Sequence, residues 1–320
     1  MSVLVTGSVA VDHIMVFEDH FHNHFVGDKL EKLNVAFHVP DMSKQYGGTG
    51  ANIAFNLRRL GIDPILLAAV GPDLGAYGEW MDRHGLRRDY LRVIDDEYTA
   101  SAFITTDAAK NQIISFHPGA MDRAHEASVS DVAEPFSVGI VSPNGKQAMI
   151  EYARDLKARG VRWIFDPGQG LPILEPAELL TALEGASVFI VNEYEWELTR
   201  EKTGLDEEAI SAKVGALVVT RGEDGSWVRR GGWDAGLGME GDRLEVAPVK
   251  AEQAVDPTGC GDAYRAGLLY ALAHDLPIGT GVQLGSLMGS LKVARPGPQS
   301  IELDLPAIRE CYRNVYGEGF

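Results

Sequence analysis

Cysteines and long apolar runs are both scarce in this chain. Its 320 residues include two cysteines, Cys260 and Cys311, which are far apart in the sequence. Two such residues do not build a disulfide framework and are typical of proteins from a reducing compartment. Apolar runs such as residues 65–70 are much shorter than the ~20 residues that a membrane-spanning helix needs. The sequence therefore predicts a protein that neither spans a membrane nor depends on disulfide bonds.

Positive charge is also scarce, since 29 Lys and Arg face 46 Asp and Glu and the formal net charge is −17. Such a balance argues against nucleic acid or an anionic membrane surface as the main partner. Small anionic ligands stay compatible with it, because a local cluster of backbone amides can bind an anion. The amino terminus lacks a basic segment and is interpreted as a buried strand instead of a signal peptide, which predicts a cytoplasmic protein.

Apolar segments alternate with amphipathic ones along most of the chain. Strands are predicted at residues 3–5, 65–70, 138–141, 161–165, 188–191, 216–220, 226–229 and 244–249. Helices are predicted at residues 78–84, 146–159, 178–184, 282–293 and 304–316. This alternation is typical of a parallel sheet that helices cover on both faces. No linker or low-complexity boundary divides the chain, so we expect one large α/β domain with a small insertion.

The insertion is predicted to be a small second sheet. Residues 99–106 and 112–116 flank a short loop as a β-hairpin would, and residues 33–39 alternate like a strand with one covered face. Inserted sheets of this kind often act as lids that exclude water from a site. Phe37, Phe103 and Phe116 form either its buried face or a platform for a flat ring, and the sequence favours the buried face.

Two glycine-rich turns each lead into a predicted helix. In the first, Gly47 and Gly48 allow a ligand to approach the backbone closely, and Asn52 offers a donor and an acceptor to a hydroxyl. The second, from Asp256 to Asp262, would aim backbone N–H groups at an anion and place a carboxylate where it can accept a hydroxyl proton. A tight turn and an N-cap aspartate explain these residues as well. Neither turn has the spacing of a Walker A loop or of a dinucleotide-binding fingerprint.

Polar side chains follow several of the predicted strands, at the sheet edge where open α/β sheets bind their ligands. Asp12, Asp166 and Asn192 occupy such positions. Asn192 and Glu195 also begin a helix, where the helix dipole favours acids, so they are interpreted either as a cap or as a contact for hydrated Mg²⁺. Asp12 is likewise either a capping residue in a connection or part of a site.

Four motifs in order along the chain resemble the signatures of the ribokinase-like (PfkB) kinases. They are Gly47 to Asn52, Asn192-x-x-Glu195, Thr220-x-Gly222-x-x-Gly225 and Asp256 to Asp262. Within that family the chain is most similar to bacterial adenosine kinases. The resemblance implies a doubly wound, mostly parallel sheet flanked by helices, with a small β-sheet lid. We expect residues 1–12, 41–96 and 119–320 in the large nucleotide- and substrate-binding domain, and residues 13–40 and 97–118 in the discontinuous lid.

The same resemblance implies a catalytic role for the second turn. Asp262 is the expected base that takes the proton from the 5′-hydroxyl of a nucleoside. The anion hole for the transferred phosphoryl group would be formed by the backbone of Gly259, Cys260 and Gly261. We expect Asp262 to be ionised at neutral pH, with the pKa of ~3.9 that a free aspartate has.

The resemblance also implies residues that bind the two substrates. The nucleoside would be bound by Asp12, Gly47, Gly48, Asn52, Phe116 and Gln169. Among these, Phe116 would stack on the purine. ATP would be bound by Asn192, Glu195, Thr220, Gly222 and Gly225. Among these, Glu195 would face the magnesium ion. Related adenosine kinases tend to have two glutamines where this chain has Gln169 followed by Gly170, so one base contact is missing.

The resulting hypothesis is an enzyme that transfers a phosphoryl group from Mg²⁺-ATP to adenosine, giving AMP and ADP. Kinases of inosine, guanosine or cytidine, or of a sugar such as ribose, stay open as alternatives. So does a non-catalytic, nucleotide-sensing protein. The sequence does not show whether a K⁺ ion binds beside the Asp256 turn. It also does not show whether the protein forms a homodimer through the lid.

Overall fold

The structure is a computed structural model that describes residues 2–24 and 35–320. Within these ranges the strands are β1 (Val3–Thr6), β2 (Ala10–Val16), β3 (Asp41–Gly47), β4 (Pro64–Val70), β5 (Leu91–Val93), β6 (Ala100–Thr106), β7 (Gln112–His117), β8 (Val138–Val141), β9 (Arg162–Phe165), β10 (Val188–Asn192), β11 (Ala216–Thr220), β12 (Ser226–Arg230) and β13 (Arg243–Val246). The α-helices are α1 (Thr49–Arg59), α2 (Gly75–Arg83), α3 (Lys146–Arg159), α4 (Pro176–Leu183), α5 (Glu193–Thr203), α6 (Glu207–Ser211), α7 (Cys260–Ala273), α8 (Ile278–Val293) and α9 (Leu305–Tyr316).

A large sheet forms the centre of the protein, with strands in the order β13-β12-β11-β10-β9-β8-β1-β4-β5. The neighbours from β11 to β5 are parallel, and β12 and β13 are antiparallel additions at one edge. Side chains alternate between two apolar cores, since Ile65 and Leu67 of β4 pack into one and Leu66 and Ala68 into the other. A sheet buried on both faces explains why its strands are continuous apolar runs. The predicted doubly wound fold is confirmed.

The remaining strands form a separate small sheet in the order β3-β2-β6-β7. β2 pairs antiparallel with β3 and parallel with β6, and β6 pairs antiparallel with β7. The predicted hairpin is confirmed, because β6 and β7 flank residues 107–111. This sheet is the lid that the resemblance implied.

Two strands of the lid sheet were not expected. Residues 10–12 and 41–47 were expected in the large domain, yet they belong to β2 and β3, which pair with each other. The alternation of β3 is weak because most of its side chains are exposed. The strand predicted at 33–39 is wrong for residues 35–39, which are irregular, and its first two residues lie outside the described ranges. Phe37 packs there against Phe17 and Phe21.

Helices α7 and α8 pack closely against each other. A Cβ on Gly267 of α7 would lie 2.5 Å from the backbone nitrogen of Gly285 of α8, so a larger side chain would separate the two helices. This contact sets the position of α7, whose first turn carries Asp262. In the described part of the chain no helix is both long and apolar enough to cross a membrane. The cytoplasmic location stays a prediction.

Candidate active site

The end of β1 and the start of α1 meet at the carboxyl edge of the large sheet. Gly7 follows β1, and a Cβ there would lie 2.8 Å from the Cα of Gly50 in the first turn of α1. Ser8 holds the junction, because its hydroxyl accepts a 3.0 Å hydrogen bond from the amide of Thr49 and its carbonyl a 3.2 Å bond from the amide of Ala51. The first glycine turn thereby reaches the edge where sheets of this type bind ligands.

Asp262 lies in the first turn of α7 and contacts α1. Its Oδ2 accepts a 2.8 Å hydrogen bond from the Nδ2 of Asn52. Burial raises the pKa of Asp262 to about 6, although the Asn52 amide and the Arg265 guanidinium favour the ionised carboxylate. The expected pKa of a free aspartate is therefore wrong. A carboxylate with a pKa this close to neutrality is suited to general-base catalysis.

The turn before Asp262 exposes backbone amides at a helix N-terminus. Gly259 is the N-cap of α7 with a φ of 79°, and a Cβ there would lie 2.8 Å from the Cβ of Pro298. Only glycine fits this position without strain. Among the described residues, the amides of Gly259, Gly261 and Asp262 have no hydrogen-bond partner. Unpaired amides at a helix N-terminus are suited to bind an anion.

Cys260 contributes to this turn differently from what was expected. Its amide donates a 3.1 Å hydrogen bond to the carbonyl of Pro257, so it is not among the unpaired amides. Burial raises the pKa of its thiol to about 11. The thiol is therefore neutral at physiological pH and is a poor nucleophile.

A chain of buried hydrogen bonds holds Asn52 in place. Gln299, which no sequence motif marks, donates from Nε2 to the Oδ1 of Asn52 at 3.1 Å and to the hydroxyl of Tyr77 at 2.8 Å. Its Oε1 accepts a 2.9 Å bond from the Nε1 of Trp80, and the Tyr77 hydroxyl donates to the carbonyl of Gly47 at 2.7 Å. Because an indole N–H can only donate, it fixes the orientation of the Gln299 amide. That orientation determines which atom of Asn52 faces the carboxylate.

The first glycine turn lies beside Asp12. A Cβ on Gly47 would be 3.3 Å from the Oδ2 of Asp12, and a Cβ on Gly48 would be 2.5 Å from the carbonyl oxygen of Ser8. Gly48 also has a φ of 89°, which other residues rarely adopt. Burial raises the pKa of Asp12. The structure thus brings together Asp12, Gly47, Gly48 and, one helical turn on, Asn52.

Phe116 lies on the same face of the lid sheet as Asp12. Asp12 is paired with Ala102, and Ala102 with Phe116, and directly paired residues share a face. The small Ala102 leaves space between the other two side chains. Phe116 is 52% exposed and Phe103, on the opposite face, is 43% exposed, so the buried-face interpretation of both is wrong. Phe116 is therefore available as a platform for a flat ring.

Asn192 and Glu195 form a capping box at the start of α5. The Oδ1 of Asn192 accepts from the amide of Glu195, and the Oε2 of Glu195 accepts from the amide of Asn192, both at 2.8 Å. The capping interpretation is confirmed. Burial, reinforced by the nearby carboxylate of Asp166, raises the pKa of Glu195. Its Oε1 has no hydrogen-bond partner among the residues described.

The geometry around Glu195 fits a limited role in metal binding. Residues 2–24 and 35–320 contain no group of three or more His, Cys, Asp or Glu side chains arranged to hold a metal ion. Mg²⁺ bound with a nucleotide takes one or two carboxylates, besides phosphates and several waters. The Oε1 of Glu195 fits one such contact, whereas both oxygens of Asp166 are bonded to Arg265.

The third motif adjoins the second at neighbouring strand ends. Thr220 at the end of β11 pairs with Asn192 at the end of β10. Gly225 has a φ of 82°, and a Cβ there would lie 2.2 Å from the carbonyl oxygen of Val246. Gly222 has a φ of 56°, and no atom of another described residue lies within 4 Å of its Cβ position. The turn between β11 and β12 therefore leaves space beside Gly222, whereas Gly225 is packed against the backbone of β13.

A buried ion pair joins α7 to the end of β9. Arg265 donates from Nε and Nη2 to the two carboxylate oxygens of Asp166, at 2.8 and 2.9 Å. Their side chains are only 7% and 3% exposed. Asp166 was marked by its place after a strand, but Arg265 was missed. The available signal was a charged residue among the apolar positions of α7.

Gln169 and Gly170 lie beyond the end of β9. Gln169 is exposed and has no hydrogen-bond partner within the described ranges. Gly170 is buried, and a Cβ there would lie 2.7 Å from the Cε of Met149. A second glutamine at this position would require repacking of Met149. The segment therefore offers one glutamine side chain to a ligand.

Comparisons with known proteins find relatives that match nearly the whole chain. The profile of the pfkB family of carbohydrate kinases matches residues 2–304. A nucleoside kinase of Methanocaldococcus jannaschii is 28% identical over 303 residues, which are 93% of this chain and 92% of the relative.

Solved structures of a nucleoside kinase are similar over the whole chain. The Burkholderia thailandensis nucleoside kinase in complex with inosine has 39% sequence identity and a TM-score of 0.85, with 100% of this chain and 99% of the other covered. Its complex with ADP-inosine has 39% identity and a TM-score of 0.81, with 100% and 97% covered. Together with the match of the family profile, these similarities show that the chain belongs to the pfkB family of carbohydrate kinases, phosphotransferases that act on a hydroxyl group.

Proposed function

We propose that the protein transfers a phosphoryl group from ATP to the 5′-hydroxyl of a nucleoside. The observation that carries this proposal is the 2.8 Å hydrogen bond between Asn52 and Asp262, at a helix N-terminus with unpaired amides. A hydroxyl beside Asp262 would give its proton to the carboxylate, while the amides of Gly261 and Asp262 face the charge that develops on the phosphoryl group. The transition state of phosphoryl transfer is loose, so the positioning of the hydroxyl contributes more to the rate than the basicity of Asp262 does.

The acceptor is proposed to be a nucleoside and not a free sugar. Several relatives are nucleoside kinases, and one was solved with inosine. Asp12 beside the first glycine turn would hold the ribose hydroxyls, together with Gly48 and Asn52. The exposed ring of Phe116, on the face shared with Asp12, would then stack on the base.

For the base, we propose that adenosine and inosine are both accepted. An aromatic platform such as Phe116 stacks on any base, because every base has a π-face. A glutamine amide can donate and accept, so Gln169 alone does not distinguish an amino from a carbonyl group on the purine. Gly170 contributes no side chain. Adenosine stays the first candidate substrate because of the resemblance to adenosine kinases, and the side chains of Phe116 and Gln169 would select little against inosine.

A substrate panel tests the proposed function. Release of ADP from Mg²⁺-ATP would be measured with adenosine, inosine, guanosine, cytidine and ribose, and the products identified by mass. We expect nucleoside 5′-monophosphates, with purine nucleosides preferred to ribose. Preference for ribose would contradict the nucleoside assignment. Absence of a phosphorylated product from every acceptor would favour the nucleotide-sensing alternative.

On the ATP side we propose that Mg²⁺ is held by the nucleotide phosphates, by water and by Glu195. When bound, the ion neutralises charge on the phosphates and orients them. Glu195 would bind the ion or one of its waters through Oε1, while its Oε2 stays in the capping box. Thr220, Gly222 and Gly225 would line the nucleotide beside Asn192.

The rate is expected to fall at acid pH with an apparent pKa of about 6. Below that pH Asp262 is protonated and cannot accept the proton of the hydroxyl, so kcat/KM should fall about tenfold per pH unit. Above it the carboxylate is ionised and the rate levels off. The measurement is kcat/KM for the nucleoside at saturating Mg²⁺-ATP between about pH 5 and 8. A rate that stays constant down to the lowest pH would argue against Asp262 as the base.

Phe116→Ala is expected to weaken nucleoside binding about 5- to 150-fold, because aromatic stacking contributes about 1–3 kcal/mol per base. Turnover of ribose, which has no base, should not change. Phe103→Ala is the matched control, since Phe103 is similarly exposed but lies on the opposite face of the lid sheet. Calorimetric affinities of both variants decide the point, and equal losses in the two would remove Phe116 from the base site.

We further propose a homodimer through the lid sheet. β7 is an edge strand on which all residues are exposed, and Ile113 and Ile114 are 38% and 56% exposed. An exposed apolar edge strand favours pairing with another chain. Sedimentation equilibrium should give twice the monomer mass of 34.7 kDa. Ile114→Lys should restore the monomer, and a wild type that is monomeric at all concentrations would contradict the proposal.

A further inference from the structure

Lys292 is a fully buried lysine near the end of α8. Its side chain is 0% exposed, and its Nζ donates hydrogen bonds of 2.9 Å to the carbonyl oxygens of Asp256 and of Arg295. Lysine is almost never fully buried unless its charge is paired. Here the ammonium group lies against the turn that leads into α7.

The Asp256 turn is docked on the end of α8 around this ammonium group. The amides of Val255 and Asp256 both donate to the carbonyl of Val293, at 2.7 and 3.0 Å. The carboxylate of Asp256 accepts 2.9 and 2.8 Å bonds from the amides of Thr258 and Gly297. The shape of the turn therefore depends on this junction, and so does the position of the unpaired amides that follow it.

A K⁺ ion does not fit beside this turn. Carbonyl and carboxylate oxygens are the ligands that such a cation takes, but here two carbonyl oxygens already accept from Lys292, and the Asp256 carboxylate accepts from two amides. The ammonium group carries the same single positive charge. In buried surroundings it would strongly repel a second cation placed next to it.

We propose that Lys292 is a tethered cation that takes the place of an exchangeable monovalent ion. The protein then needs no K⁺ to keep the Asp256 turn in the conformation that presents the amides of α7. This proposal deepens the proposed kinase function and rests on it for the activity measurement, whereas the stability measurement does not depend on it.

The test compares wild type, Lys292→Ala and the exposed-lysine control Lys250→Ala. Each is measured in KCl, methylammonium chloride and tetramethylammonium chloride at equal ionic strength, for kcat/KM and for the midpoint of thermal unfolding. For wild type and for Lys250→Ala, kcat/KM and the unfolding midpoint should each be the same in all three salts. In tetramethylammonium, which is too large for the site, Lys292→Ala should lose at least about tenfold in kcat/KM, since hydrogen bonds from a charged group are lost. K⁺ or methylammonium should raise both its rate and its unfolding midpoint.

Lys292→Met separates charge from packing. Methionine keeps an apolar side chain of similar length but carries no charge, so Lys292→Met should lose activity as Lys292→Ala does. No salt should restore the activity of Lys292→Met, because the space stays filled. Activation of the wild type by K⁺ would overturn the proposal, and so would full activity of Lys292→Ala in tetramethylammonium. An unfolding midpoint of Lys292→Ala that is the same in all salts would also overturn it. If the wild type phosphorylates no nucleoside, the proposed function fails, and the unfolding midpoints still decide the role of Lys292.

Discussion

Asp262→Asn is expected to lower kcat at least about 100-fold while nucleoside affinity changes little. The amide has nearly the size of the carboxylate and can still accept a hydrogen bond from Asn52 through its oxygen. It cannot take a proton from the hydroxyl. Turnover would be followed by ADP release, and affinity by calorimetry in the absence of ATP. The combination of lost turnover and retained binding is the signature of a group that acts in the transition state.

Asp304→Asn is the matched control for this substitution. Asp304 is an exposed N-cap whose side chain accepts from the amide of Ala307, and asparagine caps a helix about as well as aspartate does. Its turnover should equal that of wild type. Near-normal turnover of Asp262→Asn would end the assignment of Asp262 as the base. A parallel loss of affinity would instead indicate that the residue positions the substrate.

Asp166→Ala is expected to lower the free energy of unfolding by about 3–5 kcal/mol, because it leaves the buried guanidinium of Arg265 without its partner. The two side chains are 3% and 7% exposed, so the guanidinium would be left in surroundings with little solvent. The pair also joins the start of α7 to the end of β9. Urea unfolding without ligands measures the effect directly.

Two further variants make this prediction specific. In Asp166→Leu combined with Arg265→Met, no charge is left buried, and most of the lost stability should return. Glu184→Ala removes an exposed ion pair with Lys157, whose side chains are 57% and 50% exposed, and should change stability by at most about 1 kcal/mol. If Asp166→Ala is no more destabilising than Glu184→Ala, the buried pair does not stabilise the fold.

Much of the large domain could be predicted from the sequence, because buried strands and amphipathic helices have strong hydrophobic periods. β8 and α3 begin and end at the predicted residues, 138–141 and 146–159. The lid sheet was predicted less well. β3 is mostly exposed, so pairing with β2, and not burial, makes it a strand.

The residues of the candidate site could likewise be predicted only in part from the sequence. Gly48 and Gly259 could be recognised because their backbone conformations exclude other residues, which leaves a mark in the sequence. Gln299 left no such mark, and although Arg265 stands out as a charge in an apolar helix, its pairing could not be predicted. Their partners Asn52 and Asp166 lie 247 and 99 residues away. Cys260 shows a third case, in which the local geometry of the turn uses an amide that was expected to be free.

By itself the sequence determined the alternation of strands and helices, the two glycine turns and the order of the motifs, because these depend on neighbouring residues. Only the tertiary structure decided that the pKa of Asp262 is about 6, that Phe116 shares a face with Asp12, and that the Nζ of Lys292 donates to the carbonyl oxygen of Asp256. A pKa depends on burial, and a hydrogen bond depends on which distant segments meet. Such properties arise only when the chain has folded.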